Sequence, residues 1–175
     1  MIATELKLNL GSRESHIDGF QNMDCDPHKG VAHVGDISDL SRFKDGEVSE
    51  IYASHCLEHF PHDRTVDVLK EWCRVLRPSG ILYVAVPDFA RVVELYSSVG
   101  VSRWVQDYVN GGQEYPTAYH YAIFDDAKLR DLLLKAGFSE ASRVELFPVH
   151  APSDCSTHCS TFDGKPVSLN MVAVK

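Results

Sequence analysis

The chain has 175 residues, 44% of them hydrophobic, with nine histidines and a net charge of −8. That apolar content suffices for a single domain over residues 1–175 with a real core. The acidic balance, with no basic stripe, excludes tight nonspecific binding to nucleic acid. No apolar run approaches the roughly 20 residues of a membrane span, so no membrane partner is expected. The opening residues MIATELK lack an apolar signal region, and the five cysteines (25, 56, 73, 155, 159) form no dense framework. Reduced thiols in a cytoplasmic protein are the expectation.

The first apolar run, Leu6–Leu10, is broken by Gly11, and a second strand, Phe20–Met23, ends on Asp24. A strand ending in glycine beside a strand ending in a carboxylate is the layout of a nucleotide pocket. The glycine has no Cβ to obstruct a ligand, and the carboxylate can accept hydrogen bonds from a ribose diol. Only Ser12 to Gly19 separate the two strands. A crossover with its helix needs about ten to twelve residues, so the first helix is a single turn or missing. A third strand is expected at Val31–Val34, followed by Gly35-Asp36-Ile37, where Asp36 or Asp39 can cap a turn at Asp39–Phe43.

Val48–Ser54 reads as the fourth strand and runs directly into HCLEHF, His55–Phe60. H-x-x-E-H is also the spacing of one class of zinc peptidases. That chemistry needs a continuous helix and a distant third ligand, whereas here the motif abuts a strand and Pro61 follows two residues after its last histidine. His55 and His59 serve equally well as turn hydrogen-bonders or as pocket residues. Asp63–Leu76 forms an amphipathic helix with Val66, Leu69, Cys73 and Leu76 on one face. Arg77–Gly80 is a turn, and Ile81–Val86 a strand buried on both faces.

Helical sequence follows from Pro87-Asp88 to Gly100 and again over Val101–Val109. Gly111-Gly112 then opens a polar, aromatic loop to Phe124. Asp125 caps a helix carrying Leu129, Leu132, Leu133 and Ala136, which Gly137 stops. Val144–Val149 and Leu169–Val174 are the expected last strands, an antiparallel edge to the sheet. Between them, Cys155, His158 and Cys159 offer three ligands in an order unlike the usual zinc pairs, so no metal site is expected.

Several of these stretches together resemble class I S-adenosylmethionine-dependent methyltransferases, and in particular a compact bacterial type 11-like group. LNLGS at Leu8–Ser12 is similar to that family's first motif, acidic-x-Gly-x-Gly, with Asn9, Gly11 and Arg13 at the matching positions. HCLEHF resembles its S-x-x-LEH signature, and EWCRVLRPSGILYVAVPD its RVLKPGG turn and following strand. Asp154–Ser156 and Ser168–Asn170 resemble stretches near the end of the compact group. The resemblance implies a mostly parallel, doubly wound α/β sheet of Rossmann-like methyltransferase type with an antiparallel edge strand. It implies S-adenosylmethionine held by Asn9, Gly11, Ser12, Asp24, Cys25, Asp36, Ile37, Ser54, His55 and Glu58, with Asp36 at the adenine. It further implies methyl transfer to an oxygen or nitrogen of a small-molecule, sugar or peptidic acceptor, on a side built by the loop around Tyr115, Tyr119, His120 and Tyr121.

His120 is the expected base, with His55 as its substitute. The thin cover after Gly11 suggests a homodimer mate or protein partner completing the acceptor site. Asn9 and Arg13 leave room for a degenerate binding module. A nicotinamide oxidoreductase would need a third glycine and a full first helix.

Overall fold

A computed structural model describes residues 5–148 and 161–175. Nine strands are placed among these: β1 (Leu6–Leu10), β2 (Gln21–Asp24), β3 (Val31–Val34), β4 (Val48–Ser54), β5 (Leu76–Pro87), β6 (Glu140–Val144), β7 (Thr161–Phe162), β8 (Lys165–Pro166) and β9 (Ser168–Val174). β7 and β8 pair as a small separate hairpin. The other seven form one sheet in the order β3-β2-β1-β4-β5-β9-β6. β1 to β5 are parallel, and β9 runs antiparallel to both β5 and β6. The one antiparallel strand therefore lies a place in from the edge. The strand order reverses between β1 and β4, and open α/β sheets bind ligands outside the carboxyl ends of strands at such a point.

Alternation along the strands divides the core. Ile51, Ala53, Leu82, Val84, Leu169 and Met171 face one side, where they meet Leu69 and Trp72 of α1 (Thr65–Val75) and Leu129 and Leu133 of α4 (Asp126–Ala136). Tyr52, Tyr83 and Ala85 face the other, covered by Ile17, Phe20 and Phe147. The chain from Ser12 to Gly19 forms turns and no helix, as its length requires. α2 (Phe89–Val99) and α3 (Arg103–Asn110) share a third cluster with Val167. No helix among the described residues is long and apolar enough to cross a membrane.

Two expected elements differ. The sixth strand is Glu140–Val144, ahead of the apolar run Val144–Val149, whose last residue lies outside the described residues. Gly137 ends α4 in the left-handed conformation (φ 108°), and Ser139 N–H already donates to the Val174 carbonyl, so pairing with β9 starts at once. Arg77–Gly80 is also part of β5: Val48 pairs Leu76 and Glu50 pairs Ile81, so these residues bulge out of the ladder. The Asp154–Cys159 stretch, with the Cys155, His158 and Cys159 ligand set, lies outside the described residues.

α1 also fixes the loop that follows β3. Trp72 Nε1–H donates to the Ile37 carbonyl at 2.8 Å, and Glu71 accepts from Leu40 N–H at 2.9 Å. Arg74 donates to the Leu40 and Phe43 carbonyls and to Glu71. The Arg74 hydrogen bonds hold the Glu71 carboxyl below its ordinary value of 4.5. A depressed folded-state value stabilises the fold above the unfolded value, and that stabilisation is lost as pH falls through the folded one. Glu71→Gln is therefore expected to flatten the acid limb of the stability profile. Urea midpoints between about pH 3 and 6 check this, and an unchanged limb contradicts it.

Candidate active site

The carboxyl ends of β1, β2 and β4 and the loops after β3 and before α4 enclose a cleft of about 560 Å³. That lies within the roughly 300–1,000 Å³ of small-molecule and cofactor sites. At the tip of β1, Gly11 turns with φ 65°, and the N–H groups of Gly11 and Ser12 both reach the Met23 carbonyl. A Cβ on Gly11 would stand 2.8 Å from the Cβ of Cys56, so glycine is required both for the turn and for the close approach of the loop after β4. Two residues on, Arg13 takes φ 45°, a left-handed conformation that glycine adopts more easily. The family's second glycine would fall at this position. Arg13 places its guanidinium 5.2 Å from the ring centre of Tyr115, bridging the glycine turn to the loop before α4.

Asp24 ends β2 with 5% of its surface exposed. Its Oδ2 accepts from Arg13 N–H at 2.7 Å and its Oδ1 from Asp26 N–H at 3.1 Å. Oδ1 also accepts from Cys25 Sγ at 3.5 Å, Oδ2 keeps a lone pair, and the residue lines the cleft. Asp36 does both things its position allowed: its carboxylate accepts from Ser38 N–H at 2.8 Å, capping the turn, and it also lines the cleft beside Ile37.

β4 delivers His55 with φ 51°, its N–H bonded to the Ala85 carbonyl. Non-glycine residues held in this region cluster at functional sites. Ser168 O–H donates to Asn170 Oδ1, so the Ser168 oxygen accepts from His55 Nε2–H at 3.0 Å. The other ring nitrogen, Nδ1, lies 3.2 Å from Glu58 Oε1. Leu57–His59 is a single 3-10 turn, so H-x-x-E-H does not sit on the continuous helix a zinc peptidase needs. Glu58 is fully buried. Burial pushes its carboxyl up, but His55, His59 and His120 around it outweigh that and hold it below the ordinary carboxylate range.

The aromatic loop folds onto this turn. Tyr121 and Ala122 N–H donate to the Glu58 carbonyl, and His59 Nδ1–H donates to the Tyr119 carbonyl at 2.9 Å. His120 Nδ1–H donates to the Tyr108 carbonyl at 2.9 Å, and its ring meets that of His59 edge-on at 4.9 Å. Burial lowers the His120 pKa, only partly opposed by Glu58. A neutral imidazole is thus held behind the wall.

Of the residues expected to hold the cofactor, Gly11, Asp24, Cys25, Asp36, Ile37 and His55 line the cleft. Asn9, Ser12, Ser54 and Glu58 do not. Asn9 Nδ2–H₂ instead donates to the Ser15 carbonyl and Asn22 Oδ1, pinning the loop after β1. The hydroxyls of Ser12 and Ser54 are buried without a hydrogen-bond partner among the described residues. His120 is likewise off the cleft wall, behind His59, which is on it. Arg13, Asp26, His28, Cys56, Phe60 and Thr117 also line the cleft, and no sequence pattern had singled them out as ligands. Burial, reinforced by Glu58 and Asp24, pushes the Cys56 thiol well above its ordinary value, so it packs against Gly11 as a neutral group.

Residues 3–84, from the glycine turn through the LEH turn and into β5, match the family model for a methyltransferase domain. A structure of an S-adenosylmethionine-dependent methyltransferase from Archaeoglobus fulgidus superposes with a TM-score of 0.64 at 12% identity, covering 98% of this chain and 86% of that one. The 1,6-didemethyltoxoflavin-N1-methyltransferase of Burkholderia thailandensis, solved with S-adenosylhomocysteine, gives a TM-score of 0.60 at 16% identity, covering 97% and 70%. A complex between the Haloferax volcanii Trm112 methyltransferase activator and the methyltransferase solved with it gives 0.58 at 17%, covering 98% and 82%. No curated protein matches the chain in sequence. The domain match over residues 3–84 and these superpositions show the fold of S-adenosylmethionine-dependent methyltransferases, with the cleft at the sheet's switch point.

Proposed function

We propose that the chain moves the methyl group of S-adenosylmethionine to an oxygen or nitrogen of a small-molecule, sugar or peptidic acceptor. The observation that carries this reading is the cleft itself. The Gly11 turn, the Asp24 carboxylate, His55, His59 and Tyr115 all line this one space. When bound, S-adenosylmethionine supplies an electrophilic methyl on a sulfonium that leaves as a neutral thioether. The residues contribute alignment. Asp24 holds the ribose hydroxyls, Asp36 and Ile37 border the adenine, and Cys25 lies beside Asp24. Asn9 and Ser12 set the loop, while Ser54 and Glu58 support His55 from behind.

A well-oriented pair of reactants gains several powers of ten without further chemistry. The acceptor's proton leaves as the new bond forms. Its removal falls to the histidine cluster around Glu58, which opens to the cleft through His55 and His59, with His120 behind them. The absence of a helix after Gly11 among the described residues removes the seat a dinucleotide pyrophosphate requires, and so argues against the oxidoreductase reading.

The non-catalytic binding module remains the second reading, favoured by Arg13 in the left-handed conformation where the motif has glycine. A cytoplasmic setting is supported by free thiols at Cys25, Cys56 and Cys73. A dimer mate or partner protein has support in the exposed apolar residues Tyr96, Val99, Val101 and Trp104, on and between α2 and α3. Methyl-labelled S-adenosylmethionine, incubated with a panel of hydroxyl, amine and peptide acceptors, tests the reading. Label transfer to an oxygen or nitrogen supports it, and cofactor binding without transfer to any acceptor favours the binding module.

A further inference from the structure

Behind the cleft wall, Glu58 is fully buried, and neither carboxylate oxygen has a hydrogen-bond donor in line among the described residues. His55 Nδ1 lies 3.2 Å from Oε1 on one side. A buried charge left so poorly met calls for a cation. On the other side stand two imidazoles. His59 and His120 each spend Nδ1–H on a backbone carbonyl, Tyr119 and Tyr108, at 2.9 Å. That bond fixes the tautomer and leaves each Nε2 as a lone pair, the arrangement by which metal-ligating histidines are oriented.

His120 Nε2 lies 4.0 Å from Glu58 Oε1, and one ligating atom from each of Glu58, His59 and His120 falls within 4.8 Å of the others. Bonds of about 2.0–2.1 Å in a tetrahedral zinc site put donors about 3.3 Å apart, a difference that small side-chain rotations close.

We infer that Glu58, His59 and His120 bind a divalent transition-metal ion, with zinc the best match to two imidazoles and one carboxylate. That donor set leaves coordination positions open, and His59 is the ligand that lines the cleft. The site uses only part of H-x-x-E-H. His55 stays outside it, and the third ligand arrives from the loop before α4, held by the Tyr121 and Ala122 N–H bonds to the Glu58 carbonyl. The expectation of no metal rested on H-x-x-E-H abutting a strand, with Pro61 close behind it, and on the ligand order at 155–159; the fold brings a further ligand, His120, from some sixty residues away. The use of the open position rests on the methyl-transfer reading: with the ion in place, an acceptor hydroxyl bound there would be acidified and would give its proton to water in the cleft, in place of a histidine base.

Cobalt(II), which reports its coordination by visible absorption, is the probe. The chelator-treated chain is titrated without cofactor, and zinc is used as competitor. One cobalt per chain is expected, displaced by zinc. His59→Gln and His120→Gln are each expected to weaken binding by at least about 100-fold, since loss of a mere supporting group costs 10–100-fold. Thermal melts confirm that the variants fold, and Glu58→Gln adds a third test where it folds. Asp26→Asn, in the separate Asp24, Asp26 and His28 cluster, is expected to keep wild-type affinity. Absence of saturable one-to-one binding, or unchanged affinity in both histidine variants, overturns the inference. Because no cofactor is present, that failure leaves the methyl-transfer reading untouched.

Discussion

Gly11→Ala is expected to cost the chain its cofactor affinity, by roughly a hundredfold or more, the scale on which about 1 Å of displacement is felt in a site. The added Cβ meets the Cβ of Cys56 at 2.8 Å, an atom fixed to its backbone, so one of the two loops has to move. The residue also sits at φ 65°, where a side chain costs about 1–2 kcal/mol. The same turn carries the Gly11 and Ser12 N–H bonds to Met23, and Arg13 N–H donates to Asp24. A shift at Gly11 therefore propagates to the carboxylate. Calorimetry with S-adenosylhomocysteine measures the loss, and a melt should fall by a few degrees for each kcal/mol. Wild-type affinity in this variant would contradict the geometry given for the turn.

Asp24→Ala is expected to weaken cofactor binding at least roughly tenfold while the sheet stays intact. Hydrogen bonds to a charged acceptor contribute about 1.5–3 kcal/mol each, and the loss of one is worth a factor of ten or more. The variant also frees Arg13 N–H and Asp26 N–H, so part of the effect is a slackened loop. Asp24→Asn separates the two contributions. It keeps an acceptor for one N–H while losing the charge, and it is expected to bind with intermediate affinity. If both variants bind like wild type, Asp24 has no place in the site.

The parallel half of the sheet was legible because its strands are short apolar runs closed by glycine or a carboxylate. β1, β3 and β4 fall where the runs place them, and β2 ends on Asp24 one residue beyond its run. β6 was not legible. Glu140–Val144 is a poor strand by composition and becomes one only by pairing with β9, while the more apolar run after it sends Phe147 to pack on Tyr52 and Tyr83.

One part of the cleft wall was legible for the same reason as the strands: Gly11 and His55 directly follow a strand, Asp24 ends one, and Asp36 comes two residues after one. The arrangement of the histidines was not legible. His120 stands in a run of aromatic residues that suggested exposure to the acceptor, yet its Nδ1–H bond to Tyr108 turns the ring toward Glu58. His59, weighed evenly between turn and pocket, takes the place on the wall. That exchange depends on backbone bonds across some sixty residues, which no local pattern encodes.

The central claim, that this cleft holds S-adenosylmethionine, is tested most directly by calorimetry with S-adenosylmethionine, S-adenosylhomocysteine and NAD side by side on the same preparation. Saturable one-to-one binding of both adenosyl ligands, with none of NAD, is the predicted result; binding of NAD alone would contradict it.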